Sequence, residues 1–151
     1  MKKLLIVLVA VLAFATVVSA QPRAVGIRGG WASAFNIEAS YQHTVGANFI
    51  EADLGVWGNV FSATGVFDFV LASSGNMNFY AGPGINLGLA GANGAVALFG
   101  GIVGQAGMEY AFSGAPVNLS LDWRPAFYFI GIGGSTAFNW ASFALGIRYR
   151  F

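Results

Sequence analysis

Beyond about residue 24 the chain alternates large apolar residues with polar or small ones in eight runs: about 24–31, 35–43, 49–57, 64–72, 78–89, 96–111, 117–130 and 140–151. Strand side chains point to opposite faces with period two, so each run predicts a β-strand with one apolar and one polar face. Gly, Asn, Ser and Pro clusters separate the runs as turns, and no segment carries an amphipathic helical stripe. The last run is the clearest. Phe143, Leu145, Ile147, Tyr149 and Phe151 share one face, and Ser142, Ala144, Gly146, Arg148 and Arg150 share the other.

The ionisable residues keep to the polar phase. Glu38 shares parity with Asn36, Ser40 and Gln42, opposite Phe35, Ile37 and Tyr41; Glu51 and Asp53 oppose Ile50, Leu54 and Val56. Asp68 opposes Phe67 and Phe69, Glu109 opposes Met108 and Tyr110, and Asp122 and Arg124 oppose Leu121 and Trp123. Arg28 opposes Ile27 and Trp31. Two prolines, Pro83 and Pro125, fall inside runs and remove ladder donors, so each is expected to mark a bulge beyond which the facing pattern flips.

Composition decides which face points inward. Residues 1–20 read as a cleaved export leader: Lys2 and Lys3, an apolar run to Ala15, then a small-residue ending at Ala20. The mature chain, 21–151, is one domain of ~131 residues with five arginines against six acids, no lysine, and a net charge of −1. Eleven charges are too few to wet the outside of a soluble barrel, whose surface is about 25–35 % charged. Turned the other way, the small polar residues fit the narrow lumen of an eight-stranded barrel and the large apolar face meets lipid. The fold expected is all-β, an eight-stranded antiparallel up-and-down transmembrane β-barrel. In hydrocarbon a closed barrel satisfies every backbone group, as a helix does. The alternative is a soluble, lipocalin-like binding barrel.

With the amino terminus at the periplasmic side, the periplasmic turns fall near 44–47, 73–77 and 113–116. The outer loops fall at 32–34, 58–62, 91–94 and about 131–139. Tyr41, Phe79, Tyr110, Tyr149 and Phe151 then form one aromatic girdle, and Trp31, Phe35, Phe127 and Phe129 the other.

The charges cluster from mid-barrel toward the periplasmic end: Arg28, Glu38, Glu51, Asp53, Asp68, Glu109, Asp122, Arg124, Arg148 and Arg150. Buried charges persist when paired and hydrogen-bonded. Arg28 faces Glu38, and Arg148 and Arg150 are placed to reach Asp122, or Glu51 and Asp53 across the lumen. This set reads as a structural lumen plug, with a proton or ion path as the alternative. The upper polar face, with Asn86, Trp57 and Trp140, leaves a packed lumen or a small outward pocket open.

No catalytic, cofactor or metal site is expected, and the chain reads as a non-enzyme. Glu51 and Asp53 have same-face spacing too common to specify acid–base chemistry, and His43, the only histidine, sits at a strand end with no triad partners. Residues 82–88 lack the Walker lysine and a following helix, and Asn118-Leu-Ser120 is a formal glycosylation acceptor in mid-strand. Absence of cysteine removes disulfides and thiolate sites. A near-neutral chain without a basic stripe offers nothing to nucleic acid.

The leader, the eight alternating runs, the tight turns and the ending Ile147, Tyr149, Phe151 resemble the small eight-stranded outer-membrane barrels of Gram-negative bacteria. Ile50–Gly55 and Leu121–Pro125 are similar to stretches of outer-membrane barrel proteins. The resemblance implies location in the bacterial outer membrane, contact with its lipid and lipopolysaccharide, and handling by periplasmic chaperones and the barrel-assembly machinery. Ile147, Tyr149 and Phe151 would be the assembly signal. Relatives of this architecture tether the envelope, adhere, modify lipids or pass small solutes. Short loops, no periplasmic domain and no rim catalytic set leave a structural barrel with a largely plugged lumen, or a passive channel or uptake path for a small or apolar solute.

Overall fold

The computed structural model describes residues 22–32, 34–92, 94–130 and 136–151; the leader and its cleavage position, and residues 131–135 of the last outer loop, lie outside the described residues. The strands are β1 (Arg23–Trp31), β2 (Phe35–Val45), β3 (Asn48–Trp57), β4 (Val60–Ser74), β5 (Met77–Ala92), β6 (Ala95–Ala111), β7 (Val117–Trp123), β8 (Ala126–Ile130), β9 (Ala137–Asn139) and β10 (Phe143–Arg150). Every pairing is antiparallel, in the order β5-β4-β3-β2-β1-β10-β7-β6, and β5 pairs with β6 to close the ring. β7 continues into β8 and β9 into β10, so ten ladder segments make eight staves. The fold is a closed eight-stranded antiparallel β-barrel.

Closure runs to the final residue. Phe151 donates its amide to the Arg23 carbonyl at 2.8 Å and accepts from the Arg23 amide at 3.2 Å, so the β1–β10 seam has no frayed edge. Two-residue turns join the staves where glycine takes positive φ: Gly46 (64°), Gly58 (53°), Gly75 (60°) and Gly94 (77°). An added side chain at Gly46 would meet no neighbouring atom, so only backbone strain penalises substitution there. Gly46→Val is expected to lower stability by about 1–2 kcal/mol, read as a fall in the unfolding midpoint in detergent.

The barrel is inverted relative to a soluble protein. Arg28, Glu51, Asp53, Asp68, Asp122 and Arg148 are at most 2 % exposed, while Ile27, Leu71, Ile85, Leu145 and Tyr149 are each more than half exposed. Polar side chains thus fill the lumen, and the ring of large apolar residues faces out. Exposed aromatics gather at both ends: Trp31, Phe35, Phe127, Phe129 and Phe143 at the end distal to the termini, and Phe79, Tyr110, Tyr149 and Phe151 at the terminal end.

The prolines behave differently from the sequence expectation. Neither carries a bulge and neither flips the facing of its own stave. Pro83 points outward and pairs Gly104 in unbroken register, with Tyr80 buried before it and Asn86 buried after it. β4 carries the local irregularity instead, one extra residue at Leu71. At Pro125 the register against β6 is the same before it and on to Tyr128, slipping by one residue only at Phe129, and the Pro125 carbonyl still accepts from the Gly104 amide at 2.9 Å. The ring only ends the β7 ladder, and the neighbouring stave absorbs the mismatch. Between the pairs Phe143↔Trp123 and Asn139↔Ala126, three residues (140–142) face two (124–125). That bulge flips the phase of the last stave, so Trp140, expected on the lumen side, points outward at 64 % exposure, and Asn139 takes the inward place. β4 also begins earlier than expected, at Val60, because the turn after Trp57 is only two residues long.

Candidate functional site

Small residues on the lumen face make room for long charged ones. A Cβ at Gly146 would lie 2.5 Å from Ser120 Oγ, and one at Gly107 would lie 2.6 Å from Asp122 Oδ1. In the space so left, three guanidinium groups and their acids form a layer across mid-barrel.

Arg124 is its hub. Its Nη2 donates to Glu51 Oε1 (2.7 Å) and Asp53 Oδ2 (2.6 Å), its Nε donates to Gln105 Oε1 (2.6 Å), and Nη1 lies 3.5 Å from Glu38 Oε2. Arg28 donates from Nη1 to Glu38 Oε2 (2.6 Å) and from Nε to Asp122 Oδ2 (3.2 Å). Arg148 reaches Glu51 Oε2 at 2.7 Å and donates to Ser40 Oγ (2.9 Å) and Ser120 Oγ (3.0 Å). These bonds link β1, β2, β3, β6, β7 and β10 across the bore. Charge-assisted contacts of this kind are the stronger hydrogen bonds, and here they also answer the desolvation of the groups that make them.

Two acids lie outside the tight layer. Asp68 accepts from Gln105 Nε2 at 3.0 Å and has no ion pair among the described residues; Glu109 stands 3.9 Å from Arg148 Nη1. Arg150, grouped by parity with the lumen charges, is not brought to any acid: its Nη2 donates to the Phe112 and Ala115 carbonyls (2.6 and 3.0 Å) at the terminal rim. Arg150 lies beside the turn after β6, its own amide donating to the Pro116 carbonyl at 2.8 Å, so its guanidinium meets turn carbonyls first. Three arginines, Arg28, Arg124 and Arg148, therefore stand among the six acids, with Arg23 and Arg150 lining the terminal cup.

Parity alone did not single out several members of this site. Tyr80 donates its hydroxyl to Asp122 Oδ1 and packs edge-on against Phe49, ring centroids 4.9 Å apart. Ser40, Ser120 and Gln105 act as bridges, and Asn36 donates to Glu38 Oε1 at 3.0 Å. Tyr80 shares parity with Asn78 and Asn86, which is the one sequence signal for its inward facing. His43 stacks on Tyr41 (6.4 Å, 9°) at a strand end, away from the layer.

Two cups open in the lumen, one toward each end. The distal one, of ≈ 350 Å³, is lined by the apolar Trp57, Phe99, Val103, Ala126 and Tyr128 interspersed with the polar Asn36, Ser62, Thr64, Asn86 and Asn139, over a floor of Arg28, Glu38 and Arg124. The cup at the terminal end, of ≈ 190 Å³, is lined by Gln42, Asn48, Phe49, Asn78, Glu109 and Asn118 with Arg150 at its mouth. Glu51, Asp53, Asp68, Asp122 and Arg148 line neither cup.

Comparison with solved structures defines the class. The chain is similar to the de novo designed TMB2.3, seen in solution by NMR (TM-score 0.58, 15 % identity, 87 % of this chain and 94 % of that one). It is similar to Neisserial surface protein A (NspA; 0.56, 14 %, 87 % and 96 %) and to the N-terminal β-barrel domain of Pseudomonas aeruginosa OprF (0.57, 17 %, 86 % and 97 %). These neighbours are eight-stranded outer-membrane β-barrels, and this chain has their fold. No family model matches the chain, and comparison with curated protein sequences finds no match.

Proposed function

We propose that this protein is an integral barrel of the bacterial outer membrane, exported through the leader at 1–20, with a structural role in the envelope and a lumen closed by the Arg28–Arg124–Arg148 layer. The observation that carries the reading is the inversion of polarity: buried charges inside, large exposed apolar side chains outside. An apolar girdle of this kind is costly in water and favourable in hydrocarbon, where a closed ladder leaves no backbone group unpaired. Ile147, Tyr149 and Phe151 lie on that outer face at 49–54 % exposure, open to the assembly machinery that we propose reads them. Lipid and lipopolysaccharide are the proposed surroundings of the mature barrel. No enzymatic role is proposed. Passive solute passage is the weaker reading, because the ion pairs lie across the path.

Reconstitution tests both parts. In vesicles containing brominated lipid, single-tryptophan variants retaining Trp31, Trp123 or Trp140 should be quenched at least threefold more than one retaining Trp57, which lines the distal cup. The same protein in a planar bilayer should give no stepwise conductance. Equal quenching at all four positions contradicts the membrane reading; steady single-channel steps contradict the closed lumen and favour the passive path.

A further inference from the structure

We propose that the distal cup is a binding site for a small, neutral aromatic molecule bearing a hydroxyl group. This goes beyond the structural role and does not depend on whether the lumen conducts. Four observations define the ligand.

The first is shape. A cup of ≈ 350 Å³ lies at the small end of ligand pockets, which span about 300–1,000 Å³, and holds one or two fused rings. The second is the wall. Trp57, Phe99 and Tyr128 form a chain of rings, centroids 6.5 and 5.9 Å apart at 57° and 74°, continued by Val103. Edge and face positions on such a chain suit another ring better than an alkyl chain, since aromatic pairs gain beyond area burial.

The third is unmet hydrogen bonding among the lining residues. Asn86, only 6 % exposed, donates to Thr64 Oγ1 at 2.7 Å while its own Oδ1 has no partner, and Asn36 Oδ1 is likewise unpartnered. At the floor, Arg28 Nη2 and Arg124 Nη1 are buried donors without a hydrogen-bonded acceptor. Buried polar atoms are rarely left unpaired, and a group that accepts as well as donates answers both kinds. A hydroxyl does both. The fourth is charge. Each floor guanidinium already faces two or more carboxylates, Arg28 with Glu38 and Asp122 and Arg124 with Glu51, Asp53 and Glu38, so a carboxylate would crowd acids onto pairs already made, and an ammonium would meet the two guanidinium groups themselves.

The test uses the full barrel in lipid nanodiscs with 2-naphthol as probe, followed through the indole N–H resonances of the four tryptophans. A saturable shift at Trp57, with little change at the outward Trp31 and Trp140, is expected. Naphthalene, lacking the hydroxyl, should bind at least fivefold more weakly, and 2-naphthoate at least tenfold. Ala126→Phe fills the cup and should weaken binding at least tenfold. Asn86→Leu, which leaves the cup open, should abolish the preference for naphthol over naphthalene and serves if the first variant does not fold. A non-saturating shift, a shift of equal size at the lipid-facing tryptophans, or equal binding of naphthol and naphthalene to the unaltered barrel would overturn the proposal.

Discussion

Arg124→Met is expected to destabilise the barrel by about 3–5 kcal/mol, the cost of stranding buried charges when one partner of a buried pair is removed. The guanidinium holds Glu51 and Asp53 on one nitrogen and Gln105 on another, and those acids are at most 2 % exposed. Methionine keeps most of the stem volume, so the loss reports charge rather than a cavity. Adding Asp53→Asn should restore part of it, because the carboxylate whose ion pair is made by Arg124 becomes a neutral amide, whereas Glu51 still has Arg148 at 2.7 Å. Arg150→Met, whose guanidinium meets only rim carbonyls, should cost less than about 1 kcal/mol, as surface substitutions generally do. Urea titration in detergent, read by heat-modifiable migration and by circular dichroism, ranks the three. A change below about 1 kcal/mol for Arg124→Met would contradict the assignment of this residue as the hub of the layer.

Gly82→Ala should be the most damaging single methyl in the barrel wall. A Cβ at Gly82 would collide with the Phe67 carbonyl oxygen of β4, a backbone atom that no side-chain rotation can move. Relief requires separating β4 from β5 just where Pro83 already withholds a donor, so the expected cost is about 1–3 kcal/mol or failure to close. Gly65→Ala is the control: an added Cβ there meets nothing within 4 Å and should change stability by less than about 0.5 kcal/mol. The fraction of chain reaching the compact, heat-modifiable form on refolding into micelles measures both. Equal yields for the two variants would refute the steric argument.

The barrel and much of its lumen were legible in the chain because period-two alternation is local. Glu38, Glu51, Asp53, Asp68, Glu109, Asp122, Arg28, Arg124 and Arg148 are each inside, in phase with the small residues that make room for them. Which acid meets which arginine was only partly legible. Arg28 and Glu38 are directly opposed on β1 and β2, so adjacent pairing suffices to predict contact. Arg124 reaches Glu51 and Asp53 across the bore from the β7 stave to β3, and such reach depends on bore width and stagger that no single strand encodes. Tyr80 and Phe99 escaped notice for a related reason: an aromatic residue in the polar phase looks like an exception until the lumen is seen to have apolar walls above and below the charges.

Alternation and composition by themselves determined the strand order and the inward placement of the mid-barrel charges, since each rests on neighbouring residues and on the scarcity of charge in a chain that must still bury what charge it has. Tertiary structure alone decided where the register slips. Pro83 and Pro125 pass through their ladders in phase, and the mismatch at Pro125 is taken up by residues 140–142 of the next stave, turning Trp140 outward. A missing donor is a property of one residue, whereas a bulge is a property of a pair of strands, and ring closure chooses the strand that bends.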